Sequence, residues 1–167
     1  TRAEVSDVAT AIYEGADAVM LSAASAAGDF PIEAVQTMDN VAREVEQDPT
    51  YREIIEASRV VEHRSVAVGI VSAAREIAET TDIKAICCFT QSGTTALLTA
   101  RERPRVPIIA MTPLVNTARR LALTWGTNCV LTGNMDRFKG AVVSAASAAR
   151  AEGLATEKDQ IVVTAGV

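Results

Sequence analysis

The chain has 167 residues, of which 49% are hydrophobic and 22% are charged, and its formal net charge is -5. This composition is typical of a folded globular protein and argues against an intrinsically disordered chain. The acidic balance argues against nucleic acid and anionic membranes as partners, and no apolar run approaches the roughly 20 residues that span a bilayer.

Residues 1–47 predict a helix, a short strand and a second helix. Ser6 has the side chain of an N-cap for the first helix. The apolar run AVMLS at 18–22 predicts a buried strand. Pro31 suits the first turn of the next helix, which Asp48-Pro49 should end.

A mostly polar stretch follows at 48–64 and predicts a linker that holds one short helix. Beyond it, short apolar strands are predicted at 84–90, 106–112, 129–132 and 160–164, with helices between them. The first of these helices, capped by Ser65, carries apolar residues at helical spacing: Val66, Ile70, Ala73 and Ile77. Alternating strands and helices indicate an α/β fold with an open, mainly parallel sheet flanked by helices.

The three cysteines, Cys87, Cys88 and Cys129, lie in apolar, strand-like runs. Adjacent residues of a strand point to opposite faces of the sheet, so Cys87 and Cys88 do not form a ligand pair. We expect buried free thiols in a reducing cytoplasm, and neither a metal site nor a disulfide framework.

A loop rich in hydroxyl groups lies between a predicted strand and the helix after it, and it consists of Thr90, Gln91, Ser92, Gly93, Thr94 and Thr95. The first N–H groups of a helix lack partners and the dipole there is positive, so a phosphate can bind. The loop has neither the Walker A nor the Rossmann glycine pattern. Two interpretations stay open: a phosphate-binding loop, or a helix that Ser92 or Thr94 simply caps.

Three arginines, Arg101, Arg103 and Arg105, follow the helix that this loop opens. They are candidates to help hold an anion, or they form a solvated face with ion pairs. Trp125 is predicted to lie in a core or an interface, and His63 to be a linker residue.

Several motifs resemble those of pyruvate kinases. In chain order they are Thr1-Arg2-Ala3-Glu4, Ser6-Asp7-Val8-Ala9, Gly15-Ala16-Asp17, Met20-Leu21-Ser22, Gly28-Asp29-Phe30-Pro31 and Glu33-Ala34-Val35. The resemblance continues through TQSGTTA, RPRVPIIAMT, TARRLAL and DQIVVTAG in the second half. It implies that residues 1–47 are the C-terminal end of a TIM-like (β/α)8 barrel domain and that 65–167 are the C-terminal regulatory domain without its final loop and strand.

The resemblance also implies the activity of the longer protein. That family transfers a phosphoryl group between phosphoenolpyruvate and ADP in glycolysis, with Mg²⁺ and often K⁺. Its catalytic Lys, metal-binding acids and phosphate-binding Arg lie on earlier barrel strands, so we expect this chain alone to be catalytically inert, without a cofactor or metal of its own. The sequence starts at Thr1 with neither an initiator Met nor the pattern of a signal peptide. We therefore expect the chain to be a piece of a longer, cytoplasmic protein.

One pair of positions relates to the family's active site. The family has Ser-x-Glu at the end of the last barrel strand, and here Ser22 matches the serine while Ala24 replaces the glutamate. A carboxylate can accept or orient a proton and a methyl group cannot. Ser22 is either a residue near the parent active site or a hydroxyl bonded to local backbone.

For the loop Thr90–Thr95, the resemblance implies binding of the phosphate group of an activator such as a sugar phosphate or AMP. It further implies self-association, as a homotetramer in the parent protein. Two alternatives stay open: a stand-alone module that binds a phosphosugar or nucleotide, and a purely structural domain for subunit contacts.

Overall fold

The computed structural model describes residues 1–58, 65–133 and 138–165, with only the backbone at 138. The chain divides into two compact units, Thr1–Val60 and Val61–Val167. In the first unit the described residues form four helices: α1 (Arg2–Tyr13), α2 (Ala23–Ala26), α3 (Pro31–Gln47) and α4 (Pro49–Ala57). Pro31 and Pro49 each begin a helix, where their missing N–H costs nothing.

A small apolar cluster joins three of these helices. Its buried members are Ile12 of α1, Val45 of α3, and Tyr51 and Ile55 of α4. The stretch predicted as a linker at 48–64 therefore supplies α4 to the core of the first unit. The assignment of 1–47 and 65–167 to particular protein domains stays a prediction.

Asp48 connects the helices of this unit at the junction of α3 and α4. Its carboxylate accepts a hydrogen bond of 2.6 Å from the Tyr13 hydroxyl and one of 2.8 Å from the backbone N–H of Thr50. These donors favour the ionised carboxylate, so they lower the pKa of Asp48, and the same bond raises the pKa of the Tyr13 phenol.

Two predictions for the first unit were wrong. The helix α1 is capped by Thr1, which forms a capping box with Glu4, and Ser6 lies inside the helix. The run at 18–22 forms no strand, and the Met20 side chain is 87% exposed. A strand needs a neighbour for its backbone hydrogen bonds, and the described part of this unit has no other strand.

The second unit alternates helices and strands. These are α5 (Val66–Thr80), β1 (Ile83–Phe89), α6 (Thr94–Arg101), β2 (Ile108–Thr112), α7 (Val115–Leu121), β3 (Thr127–Leu131), α8 (Phe138–Ala151) and β4 (Gln160–Ala165). The strands form one sheet in the order β3-β2-β1-β4, and every pairing is parallel. The predicted open parallel sheet flanked by helices is confirmed.

Helices cover both faces of the sheet. Residues of α5, α6 and α7 pack with Ile86, Cys88 and Ile108 on one face. On the other face, α8 packs through small residues against Cys87 and Ile109. Cys87 and Cys88 therefore do point to opposite faces, and both are free and buried. Burial raises the pKa of the Cys87 thiol to about 12.

Helix α5 is apolar on two sides. Its buried face carries Val68, Val71, Ala74 and Ala78, whereas the residues that sequence periodicity singles out lie outside. Val66 is 82% exposed, Ile70 47% and Ile77 42%. The predicted apolar face thus exists, but it is not the face that packs on the sheet.

Candidate functional site

The loop from Thr90 to Thr95 leaves the carboxyl end of β1, which lies between β2 and β4 in the sheet. After β1 the chain continues to β2 and β3, which lie on one side of β1. The strand on the other side of β1 is β4, which comes last in the sequence. In open parallel sheets, ligands bind outside the carboxyl ends of the strands where the strand order reverses in this way. Phe89 pairs with Ala165, so the carboxyl ends of β1 and β4 lie side by side at this edge of the sheet.

The loop is held internally by Thr90. Its side chain is buried, and its Oγ1 accepts a hydrogen bond of 2.9 Å from the backbone N–H of Gly93. Gly93 has a φ of +91° and occupies the N-cap position of α6. A left-handed backbone is unstrained for glycine, so this residue allows the sharp turn from strand to helix.

The hydroxyl groups of Ser92 and Thr94 converge on the open side of the loop, with their oxygens 2.9 Å apart. Both residues and Gln91 are exposed, and Thr95 is half-buried. The N-cap residue Gly93 has no side chain to cap α6, but Ser92 Oγ accepts a long hydrogen bond of 3.4 Å from the Thr94 N–H, which fits the alternative that Ser92 caps the helix. The loop therefore presents hydroxyl donors beside the positive end of a helix, which is suitable for an oxyanion.

Two side chains of α7 reach the loop, and sequence reasoning missed both. Thr117 Oγ1 donates a hydrogen bond of 2.8 Å to the Gln91 carbonyl, and the Arg120 guanidinium donates to the Ser92 carbonyl. The contacts span 26 and 28 residues of sequence. The only signal was the position of TARRL just after the neighbouring strand β2.

The three arginines proposed as anion ligands lie elsewhere. Arg103 is buried with its guanidinium 4.6 Å from the centre of the Trp125 ring, and Arg105 pairs with Glu79 at 2.6 Å. Arg101 ends α6, about 11 Å along the helix from its start. The alternative of a face with ion pairs fits Arg105, and Trp125 packs within the second unit.

Ser22 and Ala24 lie at the start of α2 and are exposed. The Ser22 side chain caps nothing, while its carbonyl accepts a hydrogen bond from Ser25. A Cβ added to Gly28 would lie 2.5 Å from the Ala24 carbonyl oxygen, so the chain passes close over this turn. A role for Ser22 in a parent active site stays a prediction.

Within residues 1–58, 65–133 and 138–165, no group of three or more His, Cys, Asp and Glu side chains could hold a metal ion. No helix in the same ranges is long and apolar enough to cross a membrane. His63 lies outside the described residues.

The second unit is thus a doubly wound α/β domain with a hydroxyl-rich loop at the reversal of its strand order. The family model for the pyruvate kinase alpha/beta domain matches residues 69–167, and the model for the pyruvate kinase barrel domain matches residues 1–35. The chain belongs to the pyruvate kinase family.

Relatives over the whole chain carry the same name. A pyruvate kinase of Methylorubrum extorquens is 46% identical over 167 residues, and one of Agrobacterium vitis is 45% identical over 166. A crystal structure of a pyruvate kinase from Cryptosporidium parvum matches all of this chain with a TM-score of 0.90 and 33% identity, over 34% of its own chain. This chain covers 35% of each of the two bacterial relatives, so it spans about a third of the length of the curated relatives it matches.

Proposed function

We propose that this chain is the part of a pyruvate kinase that binds a phosphorylated effector and assembles subunits. The observation that carries the proposal is the position of the loop Thr90–Thr95 at the carboxyl edge of the sheet, with exposed hydroxyls beside the start of α6. A sugar phosphate or AMP is the class of ligand that suits this loop. Binding through one loop alone should be weak, with a dissociation constant of about 1 mM.

Calorimetry tests the effector site with fructose 1,6-bisphosphate, ribose 5-phosphate and AMP. Thr94→Asp puts a carboxylate at the first turn of α6, where it suits the helix dipole but occupies the place of the anion. We expect this variant to stay folded and to lose binding. Ser65→Asp is the matched control, because it adds the same charge at the start of α5 and keeps a capping side chain. Equal binding by Thr94→Asp and wild type would place the anion elsewhere.

The longer protein is proposed to transfer the phosphoryl group between phosphoenolpyruvate and ADP, in the cytoplasm and with Mg²⁺ and K⁺. The resemblance places the family's metal-binding acids on earlier barrel strands, so we assign the metals to the rest of the longer protein and no step of the reaction to this chain. We expect the chain alone to give no pyruvate in an assay coupled to lactate dehydrogenase. Turnover at a normal kinase rate would contradict that assignment.

Ala24 gives a second test in the longer protein. The family has a carboxylate at this position, so Ala24→Glu is expected to raise or leave unchanged the turnover number. Ala26→Glu, on the same short helix, is the control for added charge. Loss of activity in Ala24→Glu alone would mean that the surrounding site is built around alanine.

Self-association is proposed to use the exposed side of α5. Val66, Ile70, Ala73 and Ile77 recur at spacings of four, three and four residues, which is the apolar seam of paired helices. A Cβ added at Gly69, next to this seam, would meet nothing within 4 Å, so another helix can approach closely. A second copy of α5 is the occupant that we propose, since a self-complementary seam suits a twofold contact.

Sedimentation velocity tests this contact. Ile70→Lys should convert the assembly to a smaller species, because it places a charge in the seam. Val143→Lys is the control, since Val143 is also apolar and 60% exposed but lies on α8, on the other face of the sheet. A monomeric wild type, or equal effects of both variants, would contradict the proposed contact.

A further inference from the structure

Helix α7 contacts the backbone of the candidate loop at two successive residues. Thr117 donates to the Gln91 carbonyl at 2.8 Å, and Arg120 donates to the Ser92 carbonyl. Thr117 is buried whereas Arg120 is exposed. The two donors lie three residues apart, on one face of the helix.

These contacts fix the direction of the loop amides. In a trans peptide unit the C=O and N–H groups point in opposite directions. Because the Gln91 carbonyl faces α7, the Ser92 N–H is directed away from that helix. The Ser92 carbonyl likewise faces α7, and the Gly93 N–H on the other end of that unit meets Thr90 Oγ1.

The loop also packs closely on α7. A Cβ added at Gly93 would lie 3.2 Å from Arg120 Nη2, 3.3 Å from Leu121 Cδ2 and 3.4 Å from Thr117 Cγ2. These distances lie at the short end of Cβ contacts, so a side chain at position 93 would require the residues of α7 to shift by a few tenths of an ångström. The turn is thus held by hydrogen bonds from Thr117 and Arg120 and by close approach to the same two residues and Leu121.

We infer that Thr117 and Arg120 are positioning residues that hold the Gln91–Gly93 turn in its anion-binding conformation. A loop that is already ordered loses less conformational entropy when a ligand binds, and its affinity is higher for that reason. This inference rests on the proposed function, since it concerns the affinity of the same loop. On this inference, substitutions in α7 alter the affinity for the effector although the substituted side chains do not contact it.

The buried donor gives the first experiment, on the 167-residue chain, by NMR titration with ribose 5-phosphate and inorganic phosphate. Thr117→Val removes the hydroxyl at nearly constant volume and should weaken binding about fivefold, the effect of one hydrogen bond. Thr117→Ser restores the donor and should bind like wild type. Thr124→Val is the control, because Thr124 is a buried threonine three residues beyond the end of α7.

The exposed donor gives a second experiment with a matched charge control. Arg119 and Arg120 are adjacent and both exposed, but the bond to the Ser92 carbonyl comes from Arg120. Each alanine variant removes one positive charge, so the general attraction for an anion falls equally. Arg120→Ala should weaken binding about fivefold more than Arg119→Ala.

Amide hydrogen exchange, measured on the chain without ligand, distinguishes a failure of the positioning role from a failure of the proposed function. The Gly93 amide should exchange about fivefold faster in Thr117→Val and Arg120→Ala, and at the wild-type rate in both controls. If wild type binds anions and the α7 variants match their controls in affinity and exchange, the positioning role is refuted while the proposed function stands. If wild type binds no anion at any concentration, the proposed function fails and the inference about affinity fails with it.

Discussion

The two units of this chain differ in how they bury apolar residues. The sheet of the second unit is covered on both faces, and the side chains of Ile86, Ile108 and Ile109 are fully buried. Among residues 1–58 of the first unit, the buried side chains are a four-residue cluster, while Phe30, Ile32 and Val35 are 69%, 68% and 55% exposed. Helices that alternate with parallel strands cover both faces of a sheet and so bury a core, whereas the helices of the first unit leave several apolar side chains exposed.

The largest expected effect is separate unfolding of the two units. The chain has one tryptophan, Trp125 in the second unit, and two tyrosines, Tyr13 and Tyr51 in the first. Urea denaturation followed by tryptophan fluorescence and by tyrosine near-UV circular dichroism should give two transitions, with the tyrosine transition at lower urea. Coincident transitions would show that the chain unfolds as one cooperative body.

A core truncation should destabilise only the second unit. Ile109→Ala deletes a fully buried side chain and should cost about 3 kcal/mol of unfolding free energy, through lost burial and the cavity that remains. Val143→Ala is the control, since this side chain on α8 is 60% exposed and lies outside the proposed α5 contact, and it should cost less than about 1 kcal/mol. Tryptophan-detected denaturation measures both, and equal losses would overturn the assignment of the core.

Two glycines of the second unit distinguish backbone strain from crowding. Gly93 and Gly126 both have positive φ values, +91° and +62°, but a Cβ at Gly126 would meet nothing within 4 Å. Gly126→Ala should therefore cost about 1 kcal/mol from strain alone, and Gly93→Ala clearly more, because its methyl group also presses on α7. The same denaturation experiment measures this difference, and a smaller loss at Gly93 would show that the loop moves freely.

The smallest effect concerns pH and is confined to the first unit. The pKa of Asp48 is lowered in the fold, so its contribution to stability is present above its unfolded pKa near 4 and is lost as pH falls through the lower, folded value. The pKa of Tyr13 is raised, so its contribution is present below about pH 10 and is lost as pH rises through the folded value. Tyr13→Phe should remove the alkaline dependence of the tyrosine transition and reduce the acid one, since the Thr50 N–H still donates to Asp48 in this variant.

Features of the fold that depend on residues close together in sequence were predictable. Features that depend on packing against distant parts of the chain were not. The four strands of the second unit follow from short apolar runs with helices between them. The run at 18–22 has the same appearance, but no described strand lies beside it. Helix α5 has apolar residues on two sides, and periodicity alone does not tell which side meets the sheet.

The candidate site shows the same division. Its loop was predictable because Thr90 to Thr95 are contiguous and stand between a strand and a helix. Arg120 was not, since its contact with Ser92 exists only after β1 and β2 have paired and α7 has packed beside them. Arg103 looked like an anion ligand in sequence, yet its backbone has a φ of +48° and its guanidinium stacks on Trp125.

The strand order has a consequence for synthesis of the chain on the ribosome. Strands β1, β2 and β3 can pair as they emerge, but β1 has its second neighbour only when β4 arrives, some 77 residues later in sequence. Until then β1, which is apolar apart from Lys84, presents an unpaired edge, and this is the kind of surface on which nascent chains aggregate. Pairing of β1 with β4 is therefore the latest of the three strand pairings to become possible as the chain emerges, and the free edge of β1 is open to aggregation until then.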